Sequence, residues 1–188
     1  MMISAASRPP LIISTEPSHV DLHRLKDLYA ACNISGHRLR REGAAEPVDP
    51  RKLRIAVANS FVVVSVFCRP IDSSSSGAFI QRMLPLTHWN GELVGFGRAS
   101  SDSSLTASIH DVMVIPSLRR LGIGRMILKR LIRVLTSKDI YDIAALCDKN
   151  ESRLFFGACG FGDDMLNSTT MMYTRSSSNN AHQGQLIL

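Results

Sequence analysis

Aromatic residues are scarce in this 188-residue chain: seven Phe, three Tyr and one Trp, 6% of the total. An interleaved platform of aromatic and basic residues for nucleic acid is missing, although 22 Lys and Arg against 16 Asp and Glu leave +6. Cysteine is rare too. Cys32, Cys68, Cys147 and Cys159 form no Cys-x-x-Cys pair, which argues against a metal site or a disulfide framework and suits reduced thiols inside a cell. No apolar run reaches the roughly 18 residues a membrane-spanning helix requires; the longest, Phe61 to Cys68, is strand-sized. Neither Gly-x-Gly-x-x-Gly nor Gly-Lys-Ser/Thr occurs, so the dinucleotide fingerprint and the P-loop drop out. The first ten residues have no acid and no apolar core. That excludes a secretory signal and shares the acid-poor composition of longer organellar transit peptides.

What is present fits one ordinary globular domain, with 45% hydrophobic and 20% charged residues. Residues 1–10 read as a flexible N-terminus and the polar stretch 176–188 as a disordered tail, leaving 11–175 for the fold. A short strand is predicted at Leu11–Ser14. A helix follows from Asp21, with Leu22, Leu25, Leu28 and Tyr29 on one face, and closes at Cys32-Asn33. Gly36–Pro50 has the composition of a loop. Asp49-Pro50 opens a second helix over Arg51–Asn59, and valine-rich Phe61–Phe67 is a buried strand. Residues 69–90, with their serine run, read as an insertion between strands. Strands are predicted at Glu92–Ala99 and Ala107–Val114 around a turn at Ser100–Ser104. After Pro116 come a long helix over Leu121–Thr136, a strand at Ile143–Cys147, a helix over Glu151–Cys159 and a last strand at Met171–Thr174.

The chemistry concentrates where one strand ends and one helix begins. Asp111-Val112-Met113-Val114-Ile115-Pro116 leads into Arg119-Arg120-Leu121-Gly122-Ile123-Gly124-Arg125. A glycine-containing turn at a helix start points unpaired N–H groups and the positive end of the helix dipole at a bound anion. Gly122 and Gly124 let backbone amides approach phosphate oxygens, and the arginines add charge. A pyrophosphate is the natural guest; a tight strand-to-helix turn is the plainer explanation of the two glycines. Along the helix Arg125, Lys129, Arg130 and Arg133 line one side. They are either a solvated surface or a continuation of the anion site.

The segment resembles the Arg/Gln-x-x-Gly-x-Gly/Ala motif of the GNAT superfamily of acetyl-CoA-dependent N-acetyltransferases, here Arg119 to Gly124. The similarity runs from Leu93-Val94-Gly95-Phe96-Gly97-Arg98-Ala99 through Asp111–Val114 and Asn150 to Gly160-Phe161, about Leu93 to Tyr173. Gly-Arg-Ala-Ser-Ser-Asp, Leu131-Ile132-Arg133 and Lys138-Asp139-Ile140 further resemble the plant plastid branch, which acetylates protein N-termini and lysines and, in some members, arylalkylamines such as serotonin. The resemblance implies a single α/β domain, a mixed and mostly antiparallel sheet with helices on both sides, and a plastid location, the cytoplasm being the alternative. It implies acetyl-CoA as co-substrate, no metal, a protein or peptide amine as acceptor, and neither nucleic acid nor a membrane span.

Residue roles follow from it. Val112, Met113 and Val114 would offer backbone hydrogen bonds to the pantetheine arm. Arg119, Arg120, Leu121, Gly122, Ile123, Gly124 and Arg125 would hold the pyrophosphate. Asn150, Ser152 and Phe156 would lie along the cofactor. Acetyl transfer also needs a base for the amine and benefits from an acid for the departing thiolate. Asp111 and His110 are the candidates for base, and strand alternation puts them on opposite faces. Where the family commonly carries its acidic tyrosine, this chain has Phe156, with Cys147 and Cys159 as weak substitutes. The expected activity is N-acetylation of protein amines; a module that binds acetyl-CoA with little turnover and an arylalkylamine acetyltransferase are the alternatives.

Overall fold

The computed structural model describes residues 9–34, 47–69, 84–147, 150–163 and 170–173. Among them, seven strands form one sheet in the order β1-β2-β3-β4-β5-β7-β6. These are β1 Leu11–Ser14, β2 Val62–Cys68, β3 Glu92–Ser101, β4 Thr106–Val114, β5 Asp142–Leu146, β6 Phe161–Asp163 and β7 Thr170–Tyr173. Neighbours run antiparallel except β4 and β5. Helices α1 (Leu22–Ala31) and α2 (Pro50–Ala58) pack on one face, α3 (Ile123–Thr136) and α4 (Asn150–Gly157) on the other. The mixed, mostly antiparallel α/β architecture expected from the sequence is the one found.

Local chemistry sets the elements. The Asp21 carboxylate accepts from the His23 and Arg24 N–H groups and starts α1. Asp49 accepts from Arg51 N–H and starts α2, with Pro50 in the first turn. Asp102 accepts from the backbone of Ser104, Leu105 and Thr106 and folds β3 back as β4. Both strands therefore reach further into the turn than expected. Strand β2 is buried along its whole length, with Val64 and Val66 toward α3, and Val63 and Phe67 toward α1. That is why it reads as an unbroken apolar run.

Ile127, Leu128, Leu131 and Leu135 of α3 are fully buried against the sheet; burial of one such side chain contributes about 1.5–3 kcal/mol. The helix lies so close to β3 that a Cβ on Gly97 would stand 2.6 Å from Ile127 Cγ2. No side chain fits there. The other differences from expectation are at ends: α3 starts at Ile123, α4 stops at Gly157, β5 covers Asp142–Leu146, and β7 covers Thr170–Tyr173. Strand β6 was not expected, since three residues carry no readable periodicity. Most of the first predicted loop and of the predicted insertion, the N-terminus to residue 8 and the tail from 174 lie outside the described residues.

Candidate active site

Strands β4 and β5 pair only from Thr106↔Asp142 to Ile109↔Ala145. Beyond Ile109 the second half of β4 has β3 on one side and, among the described residues, no strand on the other. Ile115 N–H donates to Val94 C=O at 2.9 Å. Alternation then turns the backbone of Met113 toward β3 and those of Val112 and Val114 toward the gap. Of the three residues expected to offer backbone to a ligand, two face the opening. The Val114 carbonyl already accepts from Arg119 Nε at 3.2 Å and from the Cys32 thiol at 3.3 Å. Burial pushes the Cys32 thiol up, partly offset by Arg119, so it stays protonated and able to donate.

At the end of the gap lies the predicted anion site. Arg120 (φ 66°) and Gly122 (φ 83°) are left-handed on either side of Leu121, an alternation that turns successive N–H groups to one side as in an anion-binding nest. Gly122 is the N-cap of α3 and offers no side chain to its N–H groups. The Met126 N–H is bonded to Gly122 C=O, and the preceding N–H groups, of Ile123, Gly124 and Arg125, are the orphans of a helix start. Gly122, Arg125, Lys129, Arg130 and Arg133 line a cleft of about 630 Å³. An uncapped helix start, a nest and four cations suit a pyrophosphate, and a flanking strip of unpaired β4 backbone suits an extended amide-bearing arm. Coenzyme A has both parts.

The acid–base candidates are arranged differently from expectation. Phe96 pairs with Met113 and Arg98 with His110, so Asp111 and Val112 together oppose Gly97 alone. This is a β-bulge, and Asp111 within it is left-handed, with φ 56°. The extra residue breaks the alternation. His110 and Asp111 do not face opposite sides: both turn to the α1 side, where His110 Nε2 meets Ser100 Oγ at 2.9 Å and Asp111 Oδ2 accepts from Arg98 Nε at 2.5 Å. Buried Tyr29 of α1 lies against that ion pair. Burial first, and the Asp111 carboxylate second, push its phenol well above the ordinary range. Sequence reasoning took Tyr29 for core and Arg98 for part of a motif. The signal that joins them is the cross-strand register around the bulge.

Helix α4 closes the far side. Arg125 Nη2 donates to Ala158 C=O at 2.7 Å, tying its end to the α3 turn. The Phe155 ring lies on Gly124, where an added Cβ would be 3.3 Å from it. Phe156 is buried, edge-on to Phe155 and to Phe161. Asn150 is exposed on a separate cleft with Arg153, Gly157 and Asp163, and Ser152 is half-buried. Val112 to Arg125 lie along the gap and the start of α3, and Asn150 lies on the cleft along α4, whose lining includes Ala158, the residue bonded to Arg125. Among the described residues no group of three or more His, Cys, Asp or Glu could hold a metal.

A sheet splayed beside a bulged central strand, with a nest and an uncapped helix start at its end, defines the class of fold to compare with known proteins. The sequence profile of the Acetyltransferase (GNAT) family matches residues 70–161. GCN5-related N-acetyltransferase 3, chloroplastic, of Arabidopsis thaliana is 47% identical over 199 residues, covering 89% of this chain and 84% of its own. Histone acetyltransferase TAP1 of Glycine max is 31% identical over 81% of this chain and 57% of its own length. Among solved structures, the Escherichia coli GNAT family N-acetyltransferase YhbS in complex with CoA superposes with a TM-score of 0.57 at 13% identity, covering 92% of this chain and 84% of that one. The chain belongs to the GNAT family of N-acetyltransferases. The plastid location read from the sequence agrees with the chloroplastic relative.

Proposed function

We propose that the protein transfers an acetyl group from acetyl-CoA to amines of other proteins, N-terminal α-amino or lysine ε-amino groups. The observation that carries this reading is the unpaired half of β4 leading into the uncapped, glycine-started α3. Val112 and the Val114 N–H would hold the extended arm, and the N–H groups of Ile123 to Arg125 the pyrophosphate, with Arg125 and Lys129 adding charge. Bound there, acetyl-CoA supplies an activated acyl carbon. The Val112 N–H, released from the ladder by the bulge, would meet the negative charge developing on the acyl oxygen.

An α-amino group has a pKa near 8 and a lysine near 10.4, so lysine needs more help losing its proton. His110 is the better placed base, because the Asp111 carboxylate is engaged by Arg98 and lies against Tyr29. The histone acetyltransferase name of the soybean relative supports a protein acceptor. Phe156, with no proton to give, favours a second reading in which cofactor binding survives and turnover is slow. The test is calorimetric titration with acetyl-CoA, then mass-spectrometric mapping of acetylated sites after expression in a bacterial host, with arylalkylamines assayed in parallel. Micromolar binding with new protein acetylation is expected. Acetylation of arylalkylamines alone would replace the protein acceptor, and no binding would remove the reading.

A further inference from the structure

We infer that Tyr29 and Arg98 are positioning residues of the transfer site, which together hold the left-handed bulge at Asp111 and so fix where the Val112 N–H points. The inference rests on reading the β4 gap as the acyl site.

Left-handed backbone disfavours any residue with a Cβ, though Asp tolerates it better than most. A bulge built on such a residue persists only where its surroundings over-determine it. Here three elements do so. Strand β3 supplies Arg98, whose Nε–H donates to Asp111 Oδ2 at 2.5 Å. Helix α1 supplies Tyr29, only 3% exposed, against both partners. Strand β4 itself supplies His110, paired with Arg98 across the ladder and bonded to Ser100 Oγ. Arg98 and Asp111 are each about one-fifth exposed, so the pair is partly shielded without being sealed from water. Tyr29 keeps its proton throughout the physiological range, which makes it a fixed donor beside Asp111 and no base. Without the pair, Asp111 can return to ordinary strand backbone, the register can slip, and the Val112 N–H then leaves the gap. A donor displaced by about an ångström loses most of its value to a reaction, on the order of 10²-fold.

The test uses full-length Arg98→Met, Arg98→Lys and Tyr29→Phe proteins. The residual dipolar coupling of the Val112 N–H, measured by NMR without ligand, reads the bulge directly. It should shift in Arg98→Met and in Tyr29→Phe, and return toward wild type in Arg98→Lys. Turnover should fall about tenfold to a hundredfold in Arg98→Met, while CoA affinity, carried mostly by the helix-start anion site, falls by less than turnover does. Tyr29→Phe removes one oxygen and keeps the packing, so it decides the matter if Arg98→Met does not fold. An unchanged Val112 coupling in the variants overturns the inference even if turnover drops. If wild type acetylates nothing, the proposed function fails, and the coupling still decides whether Tyr29 and Arg98 hold the bulge.

Discussion

Gly122 and Gly124 stand two residues apart in one motif and answer to different constraints. Gly122 is left-handed at φ 83°, so any Cβ there strains the backbone. Gly122→Ala should cost about 1 kcal/mol of stability and, by distorting the nest, weaken CoA binding, which calorimetry will show; a bulkier side chain should weaken it further. Gly124 is helical, and a Cβ would meet only the edge of the Phe155 ring at 3.3 Å. Gly124→Ala should therefore be tolerated if that ring gives by a few tenths of an ångström, with a helix-propensity gain of up to about 1 kcal/mol. A loss of several kcal/mol on thermal melting would show that Phe155 is immovable. Cysteine gives a second test at this scale. Burial, with Glu92 adding to it, pushes the Cys68 thiol up to about 11 from its ordinary 9. The folded chain then keeps a proton that the unfolded chain has lost, so stability is full below about pH 9 and falls as pH rises through about 11. Cys68→Ala should flatten that alkaline fall in part, leaving the shares of Cys32 and Tyr29, whose ionisations are also pushed up.

Each secondary element was legible where punctuation marks it and obscure where tertiary pairing decides. Pro116, Gly122 and the apolar row of α3 announce the strand-turn-helix, on which the proposed anion site from Arg119 to Arg125 is built. The face of Asp111 was not legible, because one inserted bulge residue undoes the alternation that any strand reading assumes. The Arg98–Asp111 pair spans 13 residues and depends on that same register. Asn150 was placed by the family resemblance, since a lone polar residue at a helix start carries no ligand signal of its own; it lies on the cleft along α4. Helix α4 carries one more test. Phe156 is packed between Phe155 and Phe161, so Phe156→Tyr adds a hydroxyl that needs a partner. If that partner is the departing sulfur, turnover should rise by about 10², the low end for general acid assistance because a thiolate leaves tolerably well unprotonated, with acetyl-CoA affinity little changed. Equal single-turnover rates on several peptide acceptors would show that proton donation at this position does not limit the enzyme.

As a whole the molecule carries +6, and α3 has four cations and no acid. Binding of a multiply charged cofactor at its start should weaken as salt rises from about 50 to 500 mM, since screening shortens the reach of those charges; calorimetry at the two ionic strengths measures it. The same sheet that shapes the site has one mechanical weakness. Its two plates, β1 to β4 and β5 to β7, share a seam of four residue pairs between Thr106 and Ile109 on one side and Asp142 and Ala145 on the other. Past that seam helix packing and the Arg125–Ala158 bond help keep the plates at their distance. A ligand lying between them acts as a strut: it braces the molecule against opening by the same contacts that present it for reaction, so resistance to heat and readiness to react rise together.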